Sequence, residues 1–402
     1  MTQQLHPMLP RENMGENSRG RFVQALKSHI ATRVTPGVRE LYEHAAKADW
    51  ERDHGEPPRD RHEIRQSLSQ KSYYQLWSSL RRSSQHLLWS TVADCIERQA
   101  EELRAAAKIE NPVGSLQLDP NLELPWYQWD VDIHAMPGGY RGEYGEGDVF
   151  AGALYDRGVY LYAMGQMGAL NDDYGQSIIA NYLSVEHPMF SPQHILDIGC
   201  TVGHATLPYA QAFPAAEVYG IDLGAPVLRY GHARAEALGT KVHFSQQNCE
   251  TTNFPEEQFD LIVSHILLHE LPPEALRRTF AECHRLLKPG GLMVHADFPG
   301  YEGVDHLSQS MIDWDTYNNH EPFWGPMRDM DLVAERAAAG FTSANVESVI
   351  VPTGRILQSG KGQQSGQLSL VVGHKPEFFV NPEPCMQRHR FRAMPQGSIG
   401  PI

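Results

Sequence analysis

The sequence predicts an α/β protein with a doubly wound, seven-stranded, mostly parallel sheet and a helical domain in front of it. Three observations lead to this fold class. From about residue 191, short apolar runs alternate with helical stretches, as in a parallel sheet covered on both faces. A glycine-containing loop joins the first apolar run to the helical stretch after it. Residues 21–110 instead show the three- and four-residue spacing of amphipathic helices.

The first half of the chain divides by composition. Residues 1–20 are polar and include Pro and Gly, which predicts a disordered tail. Residues 21–110 form the predicted helical domain. Its clearest part is "SYYQLWSSLRRSSQHLLWSTVADC", whose apolar face indicates core packing or the contact of a homodimer. Residues 111–190 are rich in Pro, Gly and aromatic residues, which predicts a connector that also serves as a lid.

The predicted sheet domain covers residues 191–375. Five strands alternate with helices, and two further strands form a hairpin across a Gly- and Gln-rich segment. In chain order the strand segments are "HILDIG", "AEVYGID", "KVHFSQQN", "FDLIVSHI", "GLMVHAD", "SANVESVIV" and "QLSLVVGHK". An aromatic insertion at about 300–330 follows the fifth strand, and the Pro-rich residues 376–402 are predicted to be a loose tail.

Composition narrows the classes of partner and compartment. The 402 residues carry a formal net charge of -15, which repels phosphate backbones, so we expect no nucleic-acid partner. No signal peptide and no run of 18 apolar residues is visible, so we expect a cytoplasmic protein without a membrane partner. The five cysteines are widely spaced without a C-x-x-C motif, which predicts neither a disulfide framework nor a cysteine metal site. They are Cys95, Cys200, Cys249, Cys283 and Cys385.

The loop "ILDIGCTVGHAT" indicates a site for an adenosine-containing cofactor. Glycines at 199 and 203 let the backbone approach a ligand closely. Asp222 ends the second strand about two dozen residues after Gly199, where a carboxylate can accept hydrogen bonds from both hydroxyls of a ribose. The spacing G-x-x-x-G does not match the G-x-G-x-x-G pattern of nicotinamide dinucleotide sites.

Later segments add a family resemblance. "NCETTNFPEEQFDLIVSHILLHEL" and "FAECHRLLKPGGLMVHAD", together with the acid-glycine loop and Asp222, resemble the class I S-adenosylmethionine-dependent methyltransferases. The likeness is greatest to the small-molecule type that includes ubiquinone and menaquinone biosynthesis methyltransferases, over roughly residues 190–300. It implies a Rossmann-like methyltransferase fold, an enzyme, and S-adenosyl-L-methionine as the cofactor.

The resemblance also implies roles for individual residues. The first loop would surround the methionine part of the cofactor, Asp222 would bind the ribose, and Leu223 would lie beside the adenine. In the segment after the third strand, Asn248 would accept the adenine amino group through its amide oxygen. The end of the fourth strand would lie next to the methionine part. The expected cofactor-binding residues are Asp197, Gly199, Cys200, Thr201, Gly203, Asp222, Leu223, Asn248, Cys249, Glu250, Ser264 and His265.

Thr201 departs from the expected pattern, because a glycine would be usual between Gly199 and Gly203. A left-handed backbone would cost a β-branched residue roughly 1–2 kcal/mol. We therefore expect Thr201 to avoid positive φ. The substitution is either tolerated with slightly altered geometry or a sign of altered cofactor use.

Candidate catalytic residues lie at the carboxyl end of the predicted sheet. They are His269, Glu270 and His295, because a histidine with a pKa near neutrality suits general-base work. The alternative is that His269 packs against or caps the next helix. His265 and His269 are four residues apart, but His265 is predicted to end a strand, so we expect no metal site.

Two aromatic insertions are expected to cover this end of the sheet, one in the lid and one after the fifth strand. Together they would form a closed pocket for an apolar or aromatic small molecule, although core packing explains the rings equally well. The expected substrate residues are Trp126, Tyr140, Tyr144, Trp314, Tyr317 and Trp324.

The resulting hypothesis is methyl transfer from S-adenosylmethionine to a small acceptor by in-line displacement. Two alternatives stay open: a nonmethylating protein that binds the cofactor, and a protein methyltransferase that docks its partner through the helical domain. The sequence does not identify the acceptor atom.

Overall fold

The computed structural model describes residues 3–342, 346–354 and 366–376. Eight strands of the described residues form one sheet. They are β1 Ser115–Gln117, β2 His194–Ile198, β3 Glu217–Asp222, β4 His243–Gln246, β5 Phe259–His265, β6 Leu287–Asp297, β7 Val346–Pro352 and β8 Gln367–His374. Their order across the sheet is β1-β4-β3-β2-β5-β6-β8-β7.

The sheet topology confirms the predicted fold class. β1 to β6 pair in parallel, whereas β8 is antiparallel to both β6 and β7. The chain moves outward from β2 through β3 and β4, then returns to place β5 on the other side of β2. Loops at the carboxyl ends of β2 and β5 therefore diverge and leave a crevice, which is where open α/β sheets bind ligands.

The additional strand is β1, which arises in the predicted connector. Its three residues are too few to show a strand pattern in the sequence. Gly114 permits its approach to β4, because a Cβ at this position would lie 2.2 Å from the carbonyl oxygen of Val242. Glu236 fixes the turn by accepting hydrogen bonds from the backbone N–H groups of Val113 and Gly114 at 2.9 and 2.7 Å.

Helices occupy the first third of the chain and cover the sheet. The N-terminal helices are α1 Met14–His29, α2 Thr35–Leu41, α3 Lys47–His54, α4 Arg61–Ser69, α5 Ser72–Glu97 and α6 Ala100–Ala106, with π-helical turns at Ile30–Val34 and Tyr42–Ala46. The next are α7 Trp126–Asp130, α8 Phe150–Tyr162, α9 Asp173–Ile178, α10 Ser184–Glu186, α11 Thr206–Ala212, α12 Ala225–Ala237 and α13 Pro273–Leu286. The last are α14 His306–Ile312, α15 Trp314–Asn318, α16 Trp324–Asp329 and α17 Leu332–Ala338. Shorter helical turns lie at Ile133–Ala135, Ile179–Leu183 and Leu268–Glu270.

The N-terminal segment differs from the predicted disordered tail of residues 1–20. Met8 and Leu9 are buried, and α1 begins at Met14 with a capping box between Asn13 and Glu16. Nearby, Gln3 donates a hydrogen bond to the buried carboxylate of Asp156 at 3.1 Å. The polar composition concealed these features, because two apolar residues and one cap are enough to anchor so short a segment.

The helical part and the sheet share one hydrophobic core. One apolar cluster contains buried residues from both, so the predicted boundaries do not separate two cores. Its members include Met8, Val23, Leu88, Trp89 and Leu154 from the preceding helical part, and Val202 of the loop after β2 with Val227 and Tyr230 of α12.

Three further findings concern the predicted absences and the tail. Cys95, Cys200, Cys249 and Cys283 are buried free thiols. Across the part of the chain that the structure describes, no helix is long and apolar enough to cross a membrane, and no cluster of His, Cys, Asp and Glu could hold a metal ion. Cys385 and, apart from residue 376, the predicted loose tail lie outside the described residues.

Candidate active site

A cavity of about 390 Å³ opens at the carboxyl ends of β2, β3 and β5. It brings together many of the residues predicted for the cofactor, the chemistry and the acceptor. These are Asp197, Gly199, Cys200, Thr201, Asp222, Leu223, Cys249, His265, His269, Glu270, Tyr140 and Trp324.

The loop after β2 depends on its two glycines. Gly199 and Gly203 have φ values of +69° and +77°, which side chains rarely permit. A Cβ on Gly199 would approach Leu267 to 2.8 Å, and one on Gly203 would approach Leu207 to 2.7 Å. Gly199 therefore borders the cavity, whereas Gly203 shapes the loop from behind.

Thr201 corrects the prediction that this residue avoids positive φ, since its φ is +45°. Its backbone N–H donates a hydrogen bond to Asp222 Oδ2 at 3.0 Å. A turn closes beneath it, where the N–H of Gly203 donates to the carbonyl of Cys200 at 2.8 Å. The loop geometry thus imposes the left-handed conformation, and a hydrogen bond to a carboxylate helps to offset its strain.

Asp222 lies at the end of β3 and faces the cavity. Its Oδ1 accepts a hydrogen bond from the N–H of Gly224 at 2.9 Å, while Oδ2 accepts from Thr201. Burial raises its pKa to about 6, because the hydrogen bonds from these backbone groups only partly compensate for lost hydration. A carboxylate has further lone pairs, so Asp222 can still accept hydrogen bonds from a ribose.

Other predicted cofactor residues are placed differently from expectation. Cys200 lines the cavity, but its Sγ packs beneath Gly220, where an added Cβ would lie 3.0 Å away. Asn248 and Glu250 do not line the cavity. Asn248 accepts a hydrogen bond from the N–H of Glu250 at 3.0 Å, and Glu250 accepts one from the Tyr127 hydroxyl at 2.6 Å. Their side chains serve this turn, which corrects the expectation that Asn248 meets the adenine.

His265 supports the base of the loop. Its Nδ1 lies 3.4 Å from Asp197 Oδ1, and its Nε2 lies 3.0 Å from the Tyr209 hydroxyl. The other oxygen of Asp197 accepts a hydrogen bond from the hydroxyl of Thr206 at the start of α11. Asp197 and His265 therefore fix the position of the loop against α11.

His295 and Ser264 were predicted to reach the site, and the structure corrects both. They hydrogen-bond each other at 2.7 Å between Ser264 Oγ and His295 Nδ1, and neither lines the cavity. The His295 ring lies between the sheet and α13, near Phe280 and Cys283. Burial lowers its pKa to about 3, so the ring is neutral and shielded from the cavity.

His269 and Glu270 lie on the short helical turn that follows β5. His269 Nδ1 lies 2.8 Å from Asp297 Oδ1, and its backbone N–H donates to the other carboxylate oxygen at 3.2 Å. Burial alone would lower the pKa of His269, but Asp297 and Glu321 outweigh it, and the pKa is raised. The ring also stacks on Trp324 with centroids 4.5 Å apart.

His134 is a site residue that was not among the predicted catalytic or substrate residues. Its Nε2 lies 3.2 Å from Glu270 Oε1, and its Nδ1 contacts Glu321. Burial opposes its charge, yet these two carboxylates raise its pKa well above the ordinary histidine value. We name His134, His269, Glu270, Asp297 and Glu321 the histidine–carboxylate cluster.

The backbone of His134 is strained and is held by α5. Its φ is +57°, an uncommon conformation that tends to occur at functional sites. Two side chains of α5 donate hydrogen bonds to its carbonyl oxygen, Gln85 at 3.0 Å and Trp89 at 2.9 Å. His134 lies in an irregular Pro- and Gly-rich segment without periodicity, so only the presence of a histidine near a predicted lid could have indicated it.

The predicted substrate residues divide into two groups. Tyr140 and Trp324 line the cavity, and the Tyr140 hydroxyl donates to Glu270 Oε1 at 2.8 Å. Trp126, Tyr144 and Tyr317 are exposed, and Trp314 packs against Trp77 of α5, so the structure does not place these four at the cavity. Aromatic residues that line it without having been selected as substrate residues are Trp89, Tyr155, Tyr162, Tyr174 and Phe298.

Comparison with known proteins gives a family match at the sheet. The family described as "Methyltransferase domain" matches residues 195–291. Phosphoethanolamine N-methyltransferase 1 of Arabidopsis thaliana is 36% identical over 128 residues, which is 30% of this chain and 25% of the relative. Demethylmenaquinone methyltransferase of Thermus thermophilus is 30% identical over 109 residues, which is 27% of this chain and 49% of the relative.

One solved structure is similar to this chain over about half of each protein. Phosphoethanolamine N-methyltransferase 2 of Haemonchus contortus, in complex with S-adenosyl-L-methionine, is 17% identical with a TM-score of 0.40. The match covers 55% of this chain and 57% of that one. The chain spans about a quarter to a half of the length of the two relatives above. The family match confirms the resemblance expected from the sequence.

Proposed function

We propose that this protein, whose residues 195–291 belong to the class I S-adenosylmethionine-dependent methyltransferases, is an active methyltransferase. Its acceptor is a small molecule of apolar or aromatic character. One observation carries the proposal: a single cavity is lined both by the glycine loop with Asp222 and by an aromatic wall with titratable groups. A binding protein would need the first set of residues but would have no use for the second.

The residues present fit the expected cofactor. Asp222 faces the cavity with spare acceptor capacity for ribose hydroxyls, and Leu223 offers an apolar surface for a base. Gly199 and Thr201 line the cavity beside Asp222. We assign the adenine side to Cys249 and Gln247, which line the cavity where Asn248 does not.

When bound, S-adenosylmethionine supplies a methyl group on a sulfonium centre, ready for in-line displacement. The chain supplies alignment, water exclusion and proton handling. Tyr140 and Trp324 shape the acceptor space, and Tyr140 also orients Glu270 through its hydroxyl. Asp297 binds His269 Nδ1, which leaves Nε2 as the ring nitrogen that can exchange a proton.

Calorimetric titration of the purified chain tests the cofactor assignment. We expect micromolar binding of S-adenosylmethionine and S-adenosylhomocysteine and none of NAD. The Asp222→Ala variant should bind both adenosyl compounds at least about tenfold more weakly, because it loses hydrogen bonds to a charged group. Glu335→Gln provides a control, since Glu335 pairs with Arg277 away from the cavity. A folded protein without adenosyl binding would refute the proposal.

Three other expectations stay predictions from the sequence: a homodimer through the helical domain, the lack of a nucleic-acid partner, and a cytoplasmic location.

A further inference from the structure

The charges around the cavity restrict the acceptor. Asp197, Asp222 and Glu270 line it, and the described lining residues include no Lys or Arg. Two cations lie nearby but outside the wall. Lys27 lies over the Tyr162 ring and donates to Gln85, and Arg328 lies over the Trp324 ring. Among the described lining residues, an anionic acceptor would therefore meet carboxylates and no Lys or Arg side chain.

The histidine–carboxylate cluster holds an excess of negative charge. His134 is shared between Glu270 and Glu321, and His269 is shared between Asp297 and Glu321. Three carboxylates thus share two imidazoles. With all three carboxyl groups ionised and both rings protonated, one negative charge has no opposite charge inside the cluster.

Three atoms of the cluster form no hydrogen bond with the described residues: His134 Nδ1, His269 Nε2 and Glu321 Oε2. His134 Nδ1 is still in ionic contact with Glu321, whereas His269 Nε2 and Glu321 Oε2 belong to completely buried side chains and lie 3.6 Å apart. His269 lines the cavity. Buried polar atoms are normally satisfied, so an unpaired set beside a cavity indicates a missing polar ligand group.

From these observations we infer that the acceptor is an amine, bound in its ammonium form by the histidine–carboxylate cluster and the surrounding aromatic rings. An ammonium N–H can donate to Glu270, which lines the cavity, and places a positive charge beside the cluster. The rings of Tyr140 and Tyr155 line the same cavity, where aromatic groups can attract a cation and accommodate an apolar body. The inference rests on the proposed methyl transfer and specifies its acceptor.

The chemistry of nitrogen methylation suits this environment. The ammonium first gives one proton to the Glu270 carboxylate and becomes a neutral amine. The nitrogen lone pair then forms the N–C bond while the C–S bond breaks, and the sulfur keeps that bonding pair. Positive charge passes from sulfur to nitrogen, and the proton on Glu270 later leaves to solvent. An oxygen acceptor would instead have to develop an oxyanion among carboxylates, which those charges oppose.

The test compares matched acceptors on the protein saturated with S-adenosylhomocysteine. The probes are phenethylamine, 2-phenylethanol and 3-phenylpropionate, with ethanolamine and phosphoethanolamine as a second pair. We expect phenethylamine to bind at least about tenfold more tightly than 2-phenylethanol or 3-phenylpropionate. Ethanolamine should likewise bind at least about tenfold more tightly than phosphoethanolamine. Radiolabelled S-adenosylmethionine should transfer label to phenethylamine and ethanolamine, and not to 2-phenylethanol or 3-phenylpropionate.

Variants locate the recognition. Glu270→Gln should raise the Kd of the amine at least about tenfold. The affinities for 2-phenylethanol and S-adenosylhomocysteine should stay unchanged. Glu335→Gln should change none of these values. Amines that bind no better than the matched alcohol, or not at all, on a protein that binds S-adenosylhomocysteine would overturn the inference alone. Loss of S-adenosylhomocysteine binding by the unaltered protein would instead overturn the proposed function.

Discussion

Thr201 holds a left-handed backbone conformation that costs a β-branched residue roughly 1–2 kcal/mol. Glycine adopts this conformation freely, although its greater freedom in the unfolded chain offsets part of the gain. We predict that Thr201→Gly is more stable to urea than Thr201→Ala, by about 0.5–1 kcal/mol. Both variants lose the side-chain contacts of threonine, so the comparison isolates the backbone. A less stable glycine variant would show that the loop does not impose this strain.

Asp222 gives cofactor binding a pH dependence. Burial raises its pKa to about 6 from the ordinary value of 3.8, so the carboxyl takes up a proton as the pH falls through about 6. Ribose hydroxyls prefer the carboxylate as acceptor. We predict that affinity for S-adenosylhomocysteine is constant above that pH and weakens below it, by up to about tenfold per pH unit.

Calorimetry at pH 5.5 in two buffers of different ionisation enthalpy measures the proton released by Asp222 on binding. Asp222→Asn should bind weakly at every pH and release no proton. Equal pH profiles for the two proteins would contradict the assignment of Asp222.

At the scale of elements, α5 connects the N-terminal helices to the site. Trp89 donates one of the two hydrogen bonds to the carbonyl oxygen of His134, the residue whose backbone is strained. We predict that Trp89→Phe lowers kcat/KM for the acceptor about tenfold or more, because a displaced His134 changes the histidine–carboxylate cluster. The Kd of S-adenosylhomocysteine should stay the same.

Trp77→Phe is the matched control for this prediction. Trp77 is also buried on α5 and donates to Thr35 Oγ1 at 2.9 Å, but it does not line the cavity. Both variants should lose about 1–3 kcal/mol of stability, since each removes one buried hydrogen bond. An equal fall in kcat/KM for both would show that α5 acts only through stability.

The elements of the sheet could be predicted because their signals are local. Each buried strand is a short apolar run, and Asp222 lies at a fixed distance from Gly199. β1 could not be predicted in this way, since three residues carry no period and its pairing depends on the approach of Gly114 to Val242. The seven predicted strands are therefore present, with one more beside them.

The site was predictable on the cofactor side and less so on the acceptor side. Motif spacing located Gly199 and Asp222. Composition alone cannot distinguish an aromatic residue that lines the cavity from one that packs in the hydrophobic core. Trp314 illustrates this limit, because it packs against Trp77 rather than the cavity. His134 was not selected because its position depends on α5, far away in sequence.

For the whole molecule, the shared hydrophobic core has a consequence for unfolding. Buried residues of the first helices belong to the same apolar cluster as Val202 and Tyr230, so the loss of either part would expose apolar side chains of the other. We predict one cooperative thermal transition, with tryptophan fluorescence and far-ultraviolet circular dichroism giving the same midpoint. Two separated transitions would indicate that the helical part and the sheet fold independently.

The short strand β1 limits aggregation at one edge of the sheet. A long unpaired strand beside β4 would offer its free N–H and C=O groups as a template for a strand of another molecule. β1 covers that position with only three residues, and Glu236 already occupies the two N–H groups that precede it. A second chain therefore finds little backbone to extend at this edge, and the protein is protected there from edge-to-edge polymerisation.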